Sequence, residues 1–325
     1  MSPVRPAASS RAPVPPGWSG LLPVDKPTGV TSHDVVAFAR RRLRERGIGH
    51  LGTLDPNASG LLILAIGVAT RCAMVWQGGR KTYAGTARFG LVTDSQDTQG
   101  AVLATSEQRP DEAAVRAAAA DLTGELLQVP PMVSALKKDG ERLYDIARRG
   151  ETVEREPRAV QVSEWRWLGF TADEARFEVD CSGGTYVRTL VHDLGERLGC
   201  GAALSALRRL ASQPFTVAQA CPWAVLGEAD PTDVLARFGV PLDRALDTLP
   251  AVVLDDAGLE AVGRGQAPAA AAGDPALVGA GPRSVVLRSS AGRALALGEL
   301  ALERGLVRAR PNVVFPWAVR EGKPA

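Results

Sequence analysis

The sequence predicts an α+β fold with a large mixed or antiparallel sheet, followed by a small β-rich domain. Predicted strands and helices do not alternate as regular βαβ units, and this argues against a doubly wound parallel sheet. After about residue 250, short strand patterns recur between turns at 290–292 and 304–305. These observations divide the chain into a principal domain over 20–249 and a small domain over 250–325.

Length and composition agree with that division. The chain has 325 residues, of which 45% are hydrophobic and 23% charged, with a formal net charge of +2. This composition is typical of a globular protein with one large and one small domain. A charge so near neutrality does not indicate a nucleic-acid-binding protein, so such a surface would need local clusters of Arg and Lys. Residues 1–19 are rich in Pro, Ala and Ser and predict a disordered tail.

Cysteine and histidine usage bears on compartment and metal content. The four cysteines lie far apart without a C-x-x-C pair, and none of the three histidines forms a metal-ligand pair with a cysteine. No apolar run approaches the ~20 residues needed to cross a bilayer, and no apolar signal core follows the N-terminal tail. We therefore expect a reduced, cytoplasmic protein without a structural metal and without membrane association.

The first half of the chain predicts a capped helix followed by strands. Thr31 or Ser32 can cap a helix that runs to about Arg46 and presents an apolar face. The other elements of this half are predicted at 61–69 (a buried strand), 81–91 and 100–105 (strands around a polar turn) and 111–123 (an alanine-rich helix).

The second half begins with a proline-stiffened segment near 128–136 that becomes basic and ends in a short helix reaching Arg149. A helix is predicted over 186–198 because its leucines and a valine share one face. The remaining elements are predicted at 159–168 and 175–181 (strands), 202–210 (a short helix), 218–250 (short helices and linkers), and 284–289, 293–300 and 305–309 (the C-terminal strands).

The most informative stretch is the run GHLGTLDPNASGLL at 49–62, which places one carboxylate among glycines, small residues and leucines. A lone buried charge is costly, so Asp55 needs a partner or a chemical role. The three glycines of the run permit backbone shapes that other residues forbid, and Pro56 biases Asp55 away from the helical region. The run predicts a rigid loop that presents one carboxylate to a pocket.

This run matches the signature G-H-x-G-T-L-D-P-x-A-x-G-L-L, and the chain resembles the bacterial TruB family of tRNA pseudouridine synthases. The resemblance covers roughly residues 20–216 and includes five further motifs in order. They are D-K-P-x-G-x-T-S at 25–32, K-x-Y at 81–83, P-P-x-x-S-A-x-K with G-x-R-x-Y in the 130–148 segment, S-x-G-T-Y-V-R-T-L at 182–190, and L-R-R at 207–209.

The resemblance implies that the chain isomerises uridine to pseudouridine in the T-arm loop of tRNA, at the position numbered 55. The base is detached from its sugar, turned and rejoined through carbon, after eversion from the RNA loop. The family works without metal or cofactor, so none is expected. A pseudouridine-synthase-type catalytic domain is implied, with an RNA-gripping insertion at about 125–150 and a small PUA-like C-terminal domain. The expected partner is the tRNA T-arm stem-loop, with a monomeric enzyme and no obligate protein partner.

By resemblance, three residues are catalytic. Asp55 is the essential carboxylate. Arg188 pairs with it, and a guanidinium beside a partly buried carboxylate would hold it ionised and oriented. Tyr83 stacks on the target base and assists proton transfer. Two chemical routes stay open for Asp55: covalent attack on the sugar, or base removal through a glycal-type intermediate.

A second group of residues is implied to hold the RNA. His50 lies near the RNA loop, and Tyr186 and Leu207 match positions of the substrate pocket. Basic residues of the insertion are expected to bind RNA by its shape and phosphates. They are Lys137, Lys138, Arg142, Arg148 and Arg149.

Alternative functions were weighed against this interpretation. The chain could be a tRNA-folding chaperone that acts mainly through binding, or a guide-RNA-dependent pseudouridine synthase. The bacterial-style insertion favours the stand-alone enzyme over the second of these. The run D-K-P-T-G at 25–29 superficially resembles aspartyl-phosphate enzymes, but Pro27 replaces a threonine there, and no further acidic motif of that class follows.

Overall fold

The computed structural model describes residues 17–134, 136–138, 140–268, 283–303 and 306–321. The predicted disordered tail lies outside these residues except for 17–19. None of the helices in the described part of the chain has the length and apolar character needed to cross a membrane.

The secondary structure is dominated by strands, and elements are labelled in chain order. The strands are β1 (Gly20–Lys26), β2 (Ile48–His50), β3 (Ser59–Ile66), β4 (Lys81–Phe89), β5 (Leu91–Thr93), β6 (Val102–Thr105), β7 (Gly124–Gln128), β8 (Lys137–Lys138), β9 (Glu141–Arg142), β10 (Arg158–Phe170), β11 (Glu174–Cys181), β12 (Ala202–Ser212), β13 (Phe215–Thr216), β14 (Cys221–Pro222), β15 (Val240–Pro241), β16 (Ala251–Val253), β17 (Arg283–Arg288), β18 (Ala294–Glu303) and β19 (Leu306–Val314). The α-helices are α1 (Ser32–Leu43), α2 (Met74–Gln77), α3 (Glu112–Ala120), α4 (Leu143–Arg148), α5 (Val187–Arg197), α6 (Trp223–Glu228), α7 (Pro231–Phe238), α8 (Leu242–Ala245), α9 (Asp256–Gly263) and α10 (Ala318–Glu321), with 3-10 turns at Gly67–Cys72 and Val217–Gln219.

The main sheet has the strand order β14-β1-β3-β12-β4-β11-β10-β7, with β13, β15 and β2 pairing at its sides. Strand β12 runs parallel to β3, and β1 runs parallel to β14. The other neighbours in that order are antiparallel. The predicted α+β fold with a large mixed sheet is confirmed.

Strand β3 is covered on both faces. Its residues Leu62, Leu64 and Ile66 belong to the core under α1 and α5. The alternating residues Leu61, Ile63 and Ala65 pack in a second core together with the C-terminal part of the chain. A strand buried on both faces reads as a continuous apolar run, as this one does in the sequence. The Asp55 loop therefore leads into a strand that is buried on both faces.

The predicted helix at 202–210 is wrong, because this segment forms strand β12 in the middle of the sheet. Its Ala, Leu and Arg residues have high helix propensity, but propensity is a weak preference that tertiary context overrides. Strand β12 lies between β3 and β4 and bonds to both, so its backbone is satisfied from two sides. Irregularities in its ladder with β4 fall between Leu204 and Ala206 and between Arg209 and Ala211.

Two predicted boundaries also shift. Helix α1 starts at the predicted cap, Thr31, but ends at Leu43, because Arg44 adopts the left-handed conformation with φ of 53°. The strand predicted over 81–91 is divided at Gly90, whose φ of +76° turns the chain between β4 and β5. The predicted helix at 111–123 and the strands at 159–168 and 175–181 are present as α3, β10 and β11.

A separate four-stranded sheet, β16-β17-β18-β19, forms the C-terminal part of the chain. The three C-terminal strands predicted from the sequence are confirmed as β17, β18 and β19. Val286, Leu297 and Phe315 from this part join the core that packs against β1 and β3. The small sheet thus supports the back of the main sheet, while the division at residue 250 stays a prediction.

Candidate active site

Asp55 lies in the connection between β2 and β3, and helix α1 fixes the backbone beside it. The buried hydroxyl of Ser32, the first residue of α1, donates to Leu54 O at 2.9 Å and accepts from Leu54 N at 2.8 Å. Gly52 begins the connection with a φ of +117°, a conformation that favours glycine. The Ser32 side chain therefore anchors the residue before Asp55 by binding both the N–H and the C=O of Leu54.

Two buried cations hold the same loop from its other sides. Arg209 on β12 donates from Nη2 to Gly52 O at 3.2 Å and from Nε to Leu61 O at 2.6 Å. Lys26 at the end of β1 donates to Pro56 O at 3.2 Å and to two carbonyls of the turn that follows it. The backbone on each side of Asp55 is therefore bonded to the sheet.

Near the end of the run 49–62, the structure requires glycine at position 60. Its φ is +100°, and a Cβ placed on it would lie 2.3 Å from Arg209 O in the neighbouring strand. Any larger residue would push β3 away from β12, the strand that carries Arg209. The close approach of these two strands thus brings the Asp55 loop and Arg209 together.

Arg188, at the start of α5, contacts the Asp55 carboxylate. Its Nη2 donates to Asp55 Oδ1 at 3.3 Å, and its Nε lies 2.9 Å from Oδ2 in an ion-pair contact outside hydrogen-bond geometry. The guanidinium also donates to Ser95 O at 2.7 Å and to Val133 O at 2.8 Å, and its Nη1 lies 3.9 Å from Asp97 Oδ2. The arginine side chain is 4% exposed and the aspartate 39%, so a buried cation presents an accessible carboxylate.

Tyr83 lies on β4, which pairs with β12, and it is buried beside Arg209. Burial raises the pKa of its phenol, although the charge and hydrogen bond of Arg209 oppose that shift. The hydroxyl therefore stays protonated at physiological pH and can act as a hydrogen-bond donor. Tyr186 precedes α5, and burial raises the pKa of its phenol as well. Its backbone N–H donates to Gln128 Oε1 at 2.8 Å.

A cleft opens above the Asp55 carboxylate. Asp55, Asp97, Arg188 and Leu207 line it, together with residues 204–206 of β12. Leu207 is partly buried and packs against the main core. His50 ends β2, on the strand that leads into the loop. The structure thus brings Asp55, Arg188 and Leu207 into one cleft, whereas Tyr83 lies on β4, the strand next to β12, and Tyr186 directly precedes α5.

The basic residues of the predicted insertion lie on or directly after β8, β9 and α4. Lys137 and Lys138 form β8, Arg142 belongs to β9, and Arg148 ends α4. The exposed Lys138 donates to Glu154 O at 2.7 Å. Arg149 is exposed and forms ion pairs with Glu141 and Glu151, the latter at 2.8 Å. In the free chain its charge is therefore already compensated.

Four residues that shape the site were not predicted from the sequence, namely Lys26, Ser32, Asp97 and Arg209. Three of them stand inside the motifs D-K-P-x-G-x-T-S and L-R-R, so the motifs themselves contained the signal. Asp97 falls in a segment interpreted only as a polar turn. Its approach to Arg188 depends on the folding of that turn against α5 and could not be inferred from spacing.

We expect Ser32→Ala to weaken catalysis by loosening the loop. The change leaves the Leu54 N–H and C=O without their buried partner, which costs about 1–3 kcal/mol of unfolding free energy. We expect kcat to fall about tenfold, with KM within twofold, because an imprecisely held carboxylate misaligns the reaction rather than binding. Thr31→Ala is the matched control, since it removes the cap of the same helix, worth ~1 kcal/mol, without touching the loop. Equal losses of kcat in both variants would exclude the positioning role.

Comparisons with known proteins show the family of the chain. Residues 40–187 match the model of the TruB family pseudouridylate synthase N-terminal domain, and residues 188–247 match that of the tRNA pseudouridylate synthase B C-terminal domain. The chain is 48% identical over 231 residues to tRNA pseudouridine synthase B of Opitutus terrae, covering 71% of this chain and 95% of that protein. It is 45% identical over 265 residues to tRNA pseudouridine synthase B of Aromatoleum aromaticum, covering 81% of this chain and 86% of that protein.

Solved structures extend the likeness to the fold. A Cbf5–Nop10–Gar1 complex contains a chain with a TM-score of 0.68 and 24% identity, covering 94% of this chain and 92% of that one. An archaeal box H/ACA Nop10–Cbf5 complex gives a TM-score of 0.68 at 22% identity, covering 98% and 96%. The alignment of nearly the whole chain shows that the main sheet and the small C-terminal sheet recur together in these proteins.

Proposed function

The chain belongs to the TruB family of pseudouridine synthases and isomerises uridine to pseudouridine in tRNA; we propose that its target is the T-arm loop uridine at position 55 and that Asp55 carries the chemistry. The observation that supports this assignment is the pair formed by the exposed Asp55 carboxylate and the buried Arg188 guanidinium. In our proposal an everted base enters the cleft that this oriented carboxylate lines.

The reaction requires a group that acts on the sugar and surroundings that hold the free base. In our proposal Asp55 either attacks C1′ of the ribose or removes a proton from C2′. Arg188 fixes the direction of the carboxylate through two contacts, and Leu207 supplies an apolar wall of the cleft. Tyr83 would stack on the base and donate a hydrogen bond from its protonated phenol.

We further propose that the enzyme acts as a cytoplasmic monomer on the T-arm stem-loop, without metal, cofactor or protein partner. The insertion around β8, β9 and α4 would grip the RNA through its phosphates. Tyr186 and His50 would contact the loop nucleotides. Light scattering of the protein alone and with stem-loop RNA tests the monomeric state directly.

The function is tested with purified protein and an unmodified T-arm stem-loop, without added metal or nucleotide. Pseudouridine is detected with a selective chemical label followed by mass spectrometry, because product and substrate have equal mass. We expect full conversion of the target uridine and none in a stem-loop carrying cytidine there. Conversion of an intact tRNA at another position instead would overturn the proposed target. RNA binding without conversion would favour the chaperone alternative.

Lys138→Gln tests the role of the insertion. If the Lys138 ammonium binds one phosphate, the substitution should make the plot of log RNA-binding constant against log salt concentration less steep, by about 0.7–0.9 in slope. We expect KM to rise severalfold at physiological salt while kcat is unchanged, because Lys138 is exposed and does not line the Asp55 cleft. Arg116→Gln is the control, since Arg116 is an exposed arginine on α3 that pairs with Glu112. An unchanged salt slope for Lys138→Gln would contradict phosphate binding.

A further inference from the structure

The charged side chains that are fully buried in the described ranges are all cations, and all four adjoin the Asp55 loop. Lys26 is 0% exposed, Lys81 6%, Arg188 3% and Arg209 1%. They come from separate elements, namely β1, β4, α5 and β12. Arg209 and Lys81 converge beneath the loop, because a Cβ built on Gly52 would lie 3.7 Å from Arg209 Nη1 and 4.0 Å from Lys81 Cε.

Three of these cations direct their N–H groups at backbone carbonyls. Lys81 donates to Gln77 O and Gly79 O, both at 2.9 Å. Lys26 and Arg209 bind the carbonyls of the Asp55 loop and its flanks, as described above. The carboxylates that approach the fourth cation, Arg188, are Asp55 and the more distant Asp97. The buried side chains around the Asp55 loop therefore carry more positive than negative charge.

Such an excess is costly in a folded protein. A buried cation that is paired only with dipoles keeps part of its desolvation penalty. Burial lowers the pKa of Lys81, and it lowers that of Lys26 to about 8, which still leaves Lys26 largely protonated at neutral pH. A negative charge that develops in the cleft during the reaction would be stabilised by these cations without any movement of the protein.

We propose that Lys26, Lys81, Arg188 and Arg209 together stabilise the uracil anion that forms when the base leaves its sugar. This inference rests on the proposed function. In the covalent route an Asp55 oxygen bonds to C1′ as the C1′–N1 bond breaks. In the glycal route Asp55 takes the C2′ proton, and the C–H electron pair becomes the C1′=C2′ double bond. Either way the electron pair of the C1′–N1 bond remains on N1, so the detached base is an anion.

The same anion is needed for the second half of the reaction. Its C5 attacks C1′, either displacing the Asp55 oxygen or adding while C2′ recovers its proton from Asp55. C5 then loses its proton and N1 gains one, so that atoms and charge balance. A proton donated to the base too early would quench the nucleophile. Lys26, Lys81 and Arg209 donate hydrogen bonds to backbone carbonyls, so in our proposal these residues act on the base through their charge rather than as acids.

Substitution of Lys81 tests the electrostatic role separately from the positioning of Asp55. Its two hydrogen bonds reach the 77–79 turn and not the Asp55 loop, so Lys81→Met removes charge while leaving the contacts of Asp55 in place. The experiment measures single-turnover consumption of the target nucleoside in stem-loops carrying uridine or 5-fluorouridine. Fluorine withdraws electrons and makes the departing anion more stable by itself. We expect Lys81→Met to slow the uridine substrate about tenfold, a field effect of ~1.4 kcal/mol, and the fluorinated substrate less than threefold.

Matched variants exclude a structural explanation. Gly79→Ala crowds the same turn, since its Cβ would lie 3.2 Å from Gln213 O, but it retains the charge. We expect it to slow both substrates equally, and Lys81→Arg to restore most of the uridine rate. If the methionine variant does not fold, Lys81→Gln gives the same comparison. Equal slowing of both substrates by the neutral variants would overturn the inference. Absence of conversion by the unaltered protein would instead overturn the proposed function.

Discussion

Replacing Asp55 with asparagine is expected to abolish pseudouridine formation while leaving RNA binding intact. Asparagine keeps the size of the side chain and one of its two acceptor oxygens, but it is neither a nucleophile nor a base. The expected loss in turnover is about 10⁴-fold, the upper end of what one acid–base group contributes. The fold should survive, because the carboxylate is 39% exposed and the backbone of its loop is held by Ser32, Lys26 and Arg209.

The measurement pairs a pseudouridine assay with an RNA-binding titration on the same preparations. Asp173→Asn is the control, because Asp173 also forms an ion pair with an arginine, Arg109, but does so away from the cleft. We expect the control to match the unaltered protein in both assays. Substantial turnover by Asp55→Asn would remove Asp55 from the chemistry. Loss of RNA binding together with turnover would mean that the substitution disturbed the loop rather than the reaction.

The second large effect is expected for Arg188→Met. The substitution removes the cation that orients Asp55 and leaves the buried carbonyl of Ser95 and the part-buried carbonyl of Val133 without their donor. We expect kcat to fall about 10²–10³-fold, as when a preorganised charged donor is removed from an active site. The lost carbonyl partners should also lower the unfolding free energy by about 1–3 kcal/mol. Arg188→Lys keeps the charge but cannot form the forked contacts of a guanidinium, so its turnover should lie between those of the unaltered protein and Arg188→Met.

Steady-state kinetics and chemical denaturation, measured on the same variants, separate the two effects of Arg188. Arg166→Met serves as the control, because Arg166 pairs with Glu178 and Asp180 on β11, outside the cleft. It should lose little stability, since exposed ion pairs contribute weakly, and retain full turnover. A stable Arg188→Met protein with unchanged kcat would show that Asp55 is oriented by other groups.

Local sequence patterns were sufficient to predict the elements whose buried and exposed residues follow the periodicity of their own sequence. The cap of α1 at Thr31, the alternating strand β11 and the doubly buried strand β3 follow from neighbours along the chain. Strand β12 does not, because its Ala-, Leu- and Arg-rich sequence favours a helix. Two neighbouring strands in the folded sheet supply its hydrogen bonds, and no local pattern describes neighbours that are distant in sequence.

The sequence by itself predicted Asp55 as the reacting carboxylate and Arg188 as its partner, because long motifs with few free positions mark both residues; the structure places the two side chains in contact. The sequence also determined the large mixed sheet and the small C-terminal sheet through hydrophobic periodicity. Only the tertiary structure decided which side chains hold the Asp55 loop in place and which buried cations surround it. Ser32, Lys26 and Arg209 reach the same loop from three elements, and Lys81 lies beneath it. Such convergence depends on strand order and register, which are set by packing across the whole domain rather than by any one segment.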